Sequence, residues 1–174
     1  MLSSSVFRLL YYPQVDGMED GIDIRAGAHS DYGNITLLFQ QAGQPGLEIQ
    51  TPGGDWAPVP VDPMRPLAGS LNGGMLDKRP LPILVNIGDL LEDWTAGLLK
   101  STKHRVIFPK DGGGDRYSIA YFCHPLDDAL LEPVPSVLVK EHALKSDKRL
   151  ARHGKLITAK DHLMARLAAT YTVK

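Results

Sequence analysis

A histidine and an aspartate stand two residues apart in His29-Ser30-Asp31. On extended backbone, alternate side chains point to the same face, so an imidazole and a carboxylate at this spacing can reach one metal ion. Short polar pairs of this kind are also common by chance, and a turn capped by Asp31 is the simpler alternative. Taken alone, the pair does not decide between a metal site and a turn.

His104 is the candidate third ligand. It lies in Ser101-Thr-Lys-His-Arg-Val-Ile-Phe-Pro109, at the entry to a predicted strand. Two histidines and one carboxylate on one triangular face form the ligand set of non-haem Fe(II) oxygenases, because the opposite face stays open for a cosubstrate and dioxygen.

Arg116 and Ser118 place two polar groups on one face of a predicted strand whose other residues are largely apolar. A planar guanidinium beside a hydroxyl suits the recognition of a carboxylate. An arginine buried in such a strand is costly unless an anion pairs with it. The alternative is a surface arginine at the end of a hairpin, paired with Asp111 or Asp115, and the position of Arg116 alone slightly favours this alternative.

The composition indicates one globular domain spanning residues 1–174. The chain has 174 residues, of which 43% are hydrophobic and 22% charged, and its formal net charge is -1, values that are ordinary for such a domain. The near-neutral balance predicts no nucleic-acid partner and no membrane-binding patch. The single cysteine excludes an intramolecular disulfide and favours a reducing, cytoplasmic setting. The oligomeric state does not follow from these numbers.

Short β-rich segments separated by turns predict a β core over about residues 6–125, followed by a helical part over about residues 136–174. This order is typical of a β-sandwich or barrel with packed helices, a class that includes the jelly roll. Thr158 and Asp161 form a looser, acidic capping box ahead of the last helix. The predicted strands are 6–12, 24–26, 35–40, 47–50, 56–61, 83–87, 106–108 and 117–122, with a helix at 89–95.

The segment 62–82 is rich in proline and glycine and shows no periodicity. Long loops of this kind inside a compact domain are usually functional or disordered. We expect it to form a lid or a substrate loop. Among the remaining histidines, His124 is expected to be structural, and His142, His153 and His162 are expected on the surface of the C-terminal helices.

Four motifs occur in a fixed order: His-x-Asp, then Val-Asn-Ile-Gly-Asp89, then Ser-Thr-x-His-Arg-Val106, then Arg-x-Ser118. Together they resemble the C-terminal region of the 2-oxoglutarate/Fe(II) oxygenases, and more narrowly the isopenicillin N synthase-like branch. The run from Pro82 to Leu91 is similar to fungal members. The resemblance covers roughly Phe7 to Pro125.

This resemblance implies a mainly β fold with C-terminal helices, namely a double-stranded β-helix (jelly roll). It implies that His29, Asp31 and His104 bind Fe(II). Family members normally carry a substantial N-terminal region, which this chain is expected to lack. A jelly roll that is incomplete at its N-terminus is therefore one expectation.

The resemblance also assigns the cosubstrate and substrate sites. Arg116 and Ser118 would bind the distal carboxylate of 2-oxoglutarate, and Tyr12 would assist. Phe122 falls where relatives place an aromatic ring against the substrate, and a plain core residue is the alternative.

The implied function is a 2-oxoglutarate- and Fe(II)-dependent dioxygenase. Such an enzyme uses O2 to hydroxylate or desaturate a small organic molecule, for instance a pyrimidine base or a secondary metabolite, and releases succinate and CO2. One alternative is an iron-dependent oxidase of the isopenicillin N synthase type, which does not use 2-oxoglutarate. Others are a truncated, inactive binding module and a zinc hydrolase with the same three ligands.

Overall fold

A computed structural model of the protein describes residues 2–15, 24–63, 80–108, 114–132, 134–145 and 156–171. Within these ranges the chain forms eight strands and then, apart from one short helix in the β region, C-terminal helices. The strands are β1 (Val6–Tyr12), β2 (Ile24–His29), β3 (Ile35–Gln40), β4 (Leu47–Gln50), β5 (Trp56–Pro58), β6 (Leu84–Ile87), β7 (His104–Ile107) and β8 (Arg116–Cys123). The helices are α1 (Asp89–Trp94), α2 (Val137–Lys145) and α3 (Ala159–Tyr171).

The eight strands form two antiparallel sheets of four. One sheet has the order β1-β8-β3-β6 and the other the order β2-β7-β4-β5. Inward-facing residues of both sheets line a shared cavity, so the sheets face one another. The predicted fold, a mainly β jelly roll with C-terminal helices, is confirmed.

Strand boundaries differ from the prediction where pairing overrides local propensity. β2 continues through Gly27 to His29, because its pairing with β7 extends to that residue. β7 correspondingly begins at His104 and not at residue 106. β5 ends at Pro58, three residues before the predicted end, in a stretch where prolines lack the N–H that a ladder requires.

β8 divides its side chains between the inside and the outside of the molecule. Arg116, Ser118 and Ala120 are buried between the sheets. Tyr117 and Tyr121 alternate with them and are exposed on the opposite side. The outward side of the β1-β8-β3-β6 sheet, called the outer face below, is apolar. Its exposed members are Phe7, Leu9, Tyr11, Phe39, Val85, Tyr117 and Tyr121.

The capping box predicted for the last helix is confirmed. The Asp161 backbone N–H donates to Thr158 Oγ1 and the Thr158 N–H donates to Asp161 Oδ2, both at 3.1 Å. The surface position predicted for His162 is wrong: this side chain is buried, because α3 packs it towards α1, where its Nε2 lies 3.3 Å from Asp93 Oδ2. His142 is half-buried, and His153 lies outside the described residues.

Most of the segment 62–82 also lies outside the described residues, since residues 64–79 are among the gaps. The hypothesis of a lid or substrate loop therefore stays a prediction. None of the helices in the described ranges is long and apolar enough to cross a membrane.

Candidate metal centre

Strand register brings the two candidate histidine ligands together. His29 at the end of β2 pairs directly with His104 at the start of β7. Asp31 follows β2 by two residues, and its Oδ1 lies 4.0 Å from His29 Nε2 and 3.7 Å from His104 Nε2. Among the described residues, these three side chains are the one group of potential metal ligands whose donor atoms all lie within 4.8 Å of one another.

Backbone carbonyls fix the orientation of both imidazoles. His29 Nδ1 lies 2.7 Å from the Gly27 carbonyl oxygen, and His104 Nδ1 lies 3.1 Å from the Thr102 carbonyl oxygen. A carbonyl only accepts hydrogen bonds, so the proton of each neutral ring is placed on Nδ1. The lone pair of each Nε2 is then free to bind a metal, as is usual for ligating histidines.

The carboxylate of Asp31 is held at one oxygen and open at the other. Oδ2 accepts hydrogen bonds from Thr36 Oγ1 at 2.6 Å and from Asn86 Nδ2 at 2.8 Å. Thr36 on β3 and Asn86 on β6 are direct cross-strand partners, so the sheet itself delivers both donors. Oδ1 therefore remains directed at the two histidines.

The Val-Asn-Ile-Gly-Asp89 motif has a structural explanation in these contacts. Asn86 holds the Asp31 carboxylate, and the Asp89 backbone N–H donates to the Asp31 carbonyl oxygen at 2.7 Å. Gly88 permits this approach, because a Cβ there would lie only 2.2 Å from the Gly33 carbonyl oxygen. Sequence reasoning noticed the motif but did not identify Thr36 or Asn86 as supports for the ligands.

The donor set fits a divalent iron ion. Two imidazole nitrogens and one carboxylate oxygen converge, each with its other polar atom already engaged by the protein. This combination is the facial triad of non-haem iron sites, in which the positions not taken by protein remain for other ligands. The His29 side chain is about half exposed, whereas that of Asp31 is almost fully buried.

Arg116 is buried and only partly satisfied. It is 1% exposed, which rules out the surface arginine considered as an alternative. Nη1 donates to Ser118 Oγ at 3.2 Å and Nη2 to Gln40 Oε1 at 3.3 Å, whereas the buried Nε has no hydrogen-bond partner. Within the described ranges, no carboxylate forms an ion pair with this guanidinium.

The surroundings of Arg116 suit an anion. Burial lowers the pKa of Arg116 below its ordinary value, because the charged form loses hydration. Tyr12 is the cross-strand partner of Arg116, and its ring centroid lies 5.5 Å from the guanidinium carbon. A carboxylate bound here would offset the desolvation of the charge and satisfy the remaining donor.

The three candidate ligands and the arginine face the same space, a cavity of about 100 Å³ between the sheets. Its remaining walls are mainly apolar and include Leu38, Leu47 and Val106. Phe122 also lines it, one strand repeat beyond Ala120. All seven predicted site residues border this cavity, namely Tyr12, His29, Asp31, His104, Arg116, Ser118 and Phe122.

Comparison with known proteins agrees with this geometry. The model of the 2OG-Fe(II) oxygenase superfamily matches residues 3–125. The chain is 30% identical to the 2-oxoglutarate-dependent dioxygenase htyE of Aspergillus rugulosus, over 97% of this chain and 47% of that protein. It is 34% identical to the proline hydroxylase buaE of Petromyces alliaceus, over 97% of this chain and 48% of that protein.

A solved structure leads to the same family. The crystal structure of a full-length Neurospora crassa protein in complex with α-KG superposes with a TM-score of 0.69 at 33% identity, covering 96% of this chain and 45% of that one. The chain thus spans about half the length of the relatives it matches. Since the family model covers more than half of its residues, the chain belongs to the 2-oxoglutarate/Fe(II) oxygenase superfamily, whose cofactors are Fe(II) and 2-oxoglutarate.

Proposed function

We propose that this chain forms the catalytic region of a 2-oxoglutarate- and Fe(II)-dependent dioxygenase. In this proposal His29, Asp31 and His104 bind the iron, and Arg116, Ser118 and Tyr12 bind 2-oxoglutarate. The observation that carries it is a buried arginine with an unused donor, in the same cavity as a convergent His-Asp-His triad.

When bound, Fe(II) with 2-oxoglutarate supplies oxidising chemistry in which O2 and 2-oxoglutarate are consumed, succinate and CO2 are released, and a small organic substrate is hydroxylated or desaturated. The chain supplies orientation. The carbonyls of Gly27 and Thr102 fix the imidazoles, and Thr36 and Asn86 fix the carboxylate. Arg116 and Ser118 would anchor the distal carboxylate of the cosubstrate, while apolar walls limit the access of water.

The proposed substrate is a small organic molecule. Relatives of the chain differ in this respect: one is named a proline hydroxylase, and the Neurospora crassa protein has also been crystallised with thymine. The walls of the described cavity offer mainly apolar side chains besides the site residues. We propose that Phe122 contacts the substrate.

Binding of 2-oxoglutarate to an Arg116→Ala variant tests the cosubstrate site. Hydrogen bonds to a charged group contribute about 1.5–3 kcal/mol each, so the dissociation constant for 2-oxoglutarate in the presence of Fe(II) should rise by at least about tenfold. Arg105→Ala is the matched control, because Arg105 pairs with Glu48 and stacks on Trp56 in the other sheet. Unchanged affinity in Arg116→Ala would refute this site.

Product analysis separates the proposal from its main alternative. A 2-oxoglutarate-dependent enzyme forms succinate in step with oxygen uptake. An oxidase of the isopenicillin N synthase type consumes oxygen without forming succinate, and that result would contradict the proposed reaction.

A further inference from the structure

Helix α3 is attached to helix α1 by two polar contacts one turn apart. Arg166 forms an ion pair with Asp89, and His162 Nε2 lies 3.3 Å from Asp93 Oδ2. The two α3 residues are four positions apart, as are the two aspartates on α1. Residues four apart lie on one face of a helix, so the two contacts form a matched ladder between the helices.

Arg166 also reaches the segment that carries a metal ligand. Its guanidinium carbon lies 5.6 Å from the ring centroid of Tyr32, the residue that follows Asp31. The Tyr32 hydroxyl lies 2.6 Å from Thr170 Oγ1, one turn further along α3. Two consecutive turns of α3 therefore hold Tyr32 in place.

The start of α1 is in turn bonded to the same segment, residues 31–34, called the ligand loop below. The backbone N–H groups of Gly88, Asp89 and Leu90 donate to carbonyl oxygens of Asn34, Asp31 and Gly33, at 2.8, 2.7 and 3.1 Å. A shift of the first turn of α1 would therefore move the backbone of Asp31.

Helix α1 contacts the segment before the second histidine as well. Glu92 Oε2 accepts a hydrogen bond from the Ser101 N–H at 2.8 Å. The next residue, Thr102, supplies the carbonyl that orients His104. Helix α1 thus contacts both the ligand loop, which carries Asp31, and the segment that precedes His104.

We propose that Arg166 is a positioning residue for the metal centre: through Asp89 and Tyr32 it holds α1 and the ligand loop together, so that Asp31 keeps the orientation needed to bind iron. The inference rests on the proposed function of His29, Asp31 and His104. It places part of the metal-binding apparatus on the last described helix, outside the region matched by the family model, which ends at residue 125.

The test is anaerobic titration of the purified chain with Fe(II), with the heat of binding measured by calorimetry. The temperature is chosen so that circular dichroism shows every variant to be folded. Loss of a residue that supports a ligand directly typically costs 10- to 100-fold in metal affinity, and Arg166 acts one residue further away, so Arg166→Ala should weaken binding by about tenfold or slightly less. Arg166→Lys keeps a cation beside Asp89 and should recover part of this loss.

Thr158→Ala is the matched control for a merely structural effect. It removes one side of the capping box and should destabilise α3 by about 1 kcal/mol, while Arg166, Asp89 and Tyr32 remain unchanged. Its Fe(II) affinity should equal that of the wild type. If Thr158→Ala weakens Fe(II) binding as much as Arg166→Ala does, the role of Arg166 is only structural and the proposal fails.

Asp89→Asn tests the same link from the other side, and does so even if Arg166→Ala fails to fold. It removes the carboxylate but keeps the backbone N–H that bonds Asp31. Its loss of affinity should be a part of that in Arg166→Ala, because Arg166 keeps its contact with Tyr32. The double variant Arg166→Ala/Asp89→Asn should lose little more than Arg166→Ala alone. If Asp89→Asn or a folded Arg166→Ala binds Fe(II) with wild-type affinity, the positioning role of Arg166 is refuted, while the proposed metal centre still stands. If the wild-type chain itself binds no Fe(II), the proposed metal centre fails, and the inference with it.

Discussion

Asp31 shows how single residues define this site. One carboxylate oxygen accepts two hydrogen bonds from the sheet, and the other faces two imidazoles whose Nδ1 atoms are already engaged. Each candidate ligand therefore has one ligating atom not engaged by these contacts, and the three atoms lie within 4.8 Å of one another. This preorganisation is what a facial triad requires to bind iron without rearrangement.

Thr36→Val tests the support of the carboxylate. Valine keeps the shape of the side chain but removes the hydroxyl that donates to Asp31 Oδ2. The carboxylate would then be less firmly oriented, and we expect the affinity for Fe(II) to fall by at least about tenfold. Thr51→Val, the same change in the turn between β4 and β5, should bind Fe(II) as the wild type does. Equal Fe(II) affinity in Thr36→Val and the wild type, measured by anaerobic titration, would show that this hydrogen bond does not contribute to iron binding.

The sequence predicts the candidate site residues better than the residues that support them. The triad and Arg116 belong to ordered motifs, and all of them border the cavity. Thr36 and Gln40 belong to no motif, because their roles depend on which strands become neighbours. Asn86 lies inside the Val-Asn-Ile-Gly-Asp89 motif, so the sequence marks it as a residue of interest. The spacing alone does not show that its amide would reach Asp31.

Among the elements, strand register assembles the site. The pairing of β2 with β7 places His29 opposite His104, and the pairing of β1 with β8 places Tyr12 opposite Arg116. A slip of one residue in either pairing would turn these side chains away from the cavity. Strand pairing therefore brings together the histidines, Arg116 and Tyr12, whereas Asp31 comes from the ligand loop.

Gly88→Ala tests the junction between β6 and α1. The added Cβ would lie 2.2 Å from the Gly33 carbonyl oxygen and 3.1 Å from the Asp31 carbonyl oxygen, so α1 and the ligand loop must move apart. Overpacking of this kind costs about 1–3 kcal/mol, and we expect a lower melting temperature together with weaker Fe(II) binding.

Gly27→Ala is the control for that prediction, because a Cβ at Gly27 would meet nothing within 4 Å. Gly27→Ala should leave the melting temperature and the Fe(II) affinity close to their wild-type values. A Gly88→Ala variant with wild-type melting temperature and Fe(II) affinity would mean that the close contact between Gly88 and the ligand loop affects neither stability nor iron binding.

Elements were predictable from the sequence to the extent that local signals specify them. The bounds of β1, β3 and β4 follow from alternation and turn residues, and the start of α3 follows from the Thr158–Asp161 capping box. The extension of β2 through Gly27 could not be predicted, because it depends on pairing with a strand that is distant in the sequence. The burial of His162 was missed for a similar reason, since periodicity does not show that α1 would cover it.

The whole molecule exposes an apolar sheet surface. Phe7 is 60% exposed and Leu9 74% exposed on the outer face, beside Tyr11, Tyr117 and Tyr121. Monomeric proteins rarely leave contiguous apolar patches of more than a few hundred Å² open to water. The chain also spans about half the length of its matched relatives.

The exposed outer face predicts binding of a hydrophobic dye. The fluorescence of anilinonaphthalene sulfonate should rise strongly with the purified chain, and Leu9→Lys should reduce it, because a charge would then stand between Phe7 and Tyr11 on this apolar face. Leu144→Lys is the control, since Leu144 is 84% exposed on α2, a helix that packs against Ala96. If both variants lower dye fluorescence equally, the outer face is not a distinct apolar surface.

We propose that one cavity binds iron and 2-oxoglutarate together, and anaerobic titration of the Fe(II)-loaded chain with 2-oxoglutarate measures this. Chelation of iron by the 2-oxo acid gives a weak visible charge-transfer band. We predict that this band appears with the wild-type chain and saturates at one 2-oxoglutarate per chain. It should be absent from His104→Ala, which lacks a ligand, and should require more 2-oxoglutarate in Arg116→Ala. A wild-type chain that binds Fe(II) but shows no band at saturating 2-oxoglutarate, or a band that persists unchanged in His104→Ala, would contradict a shared site.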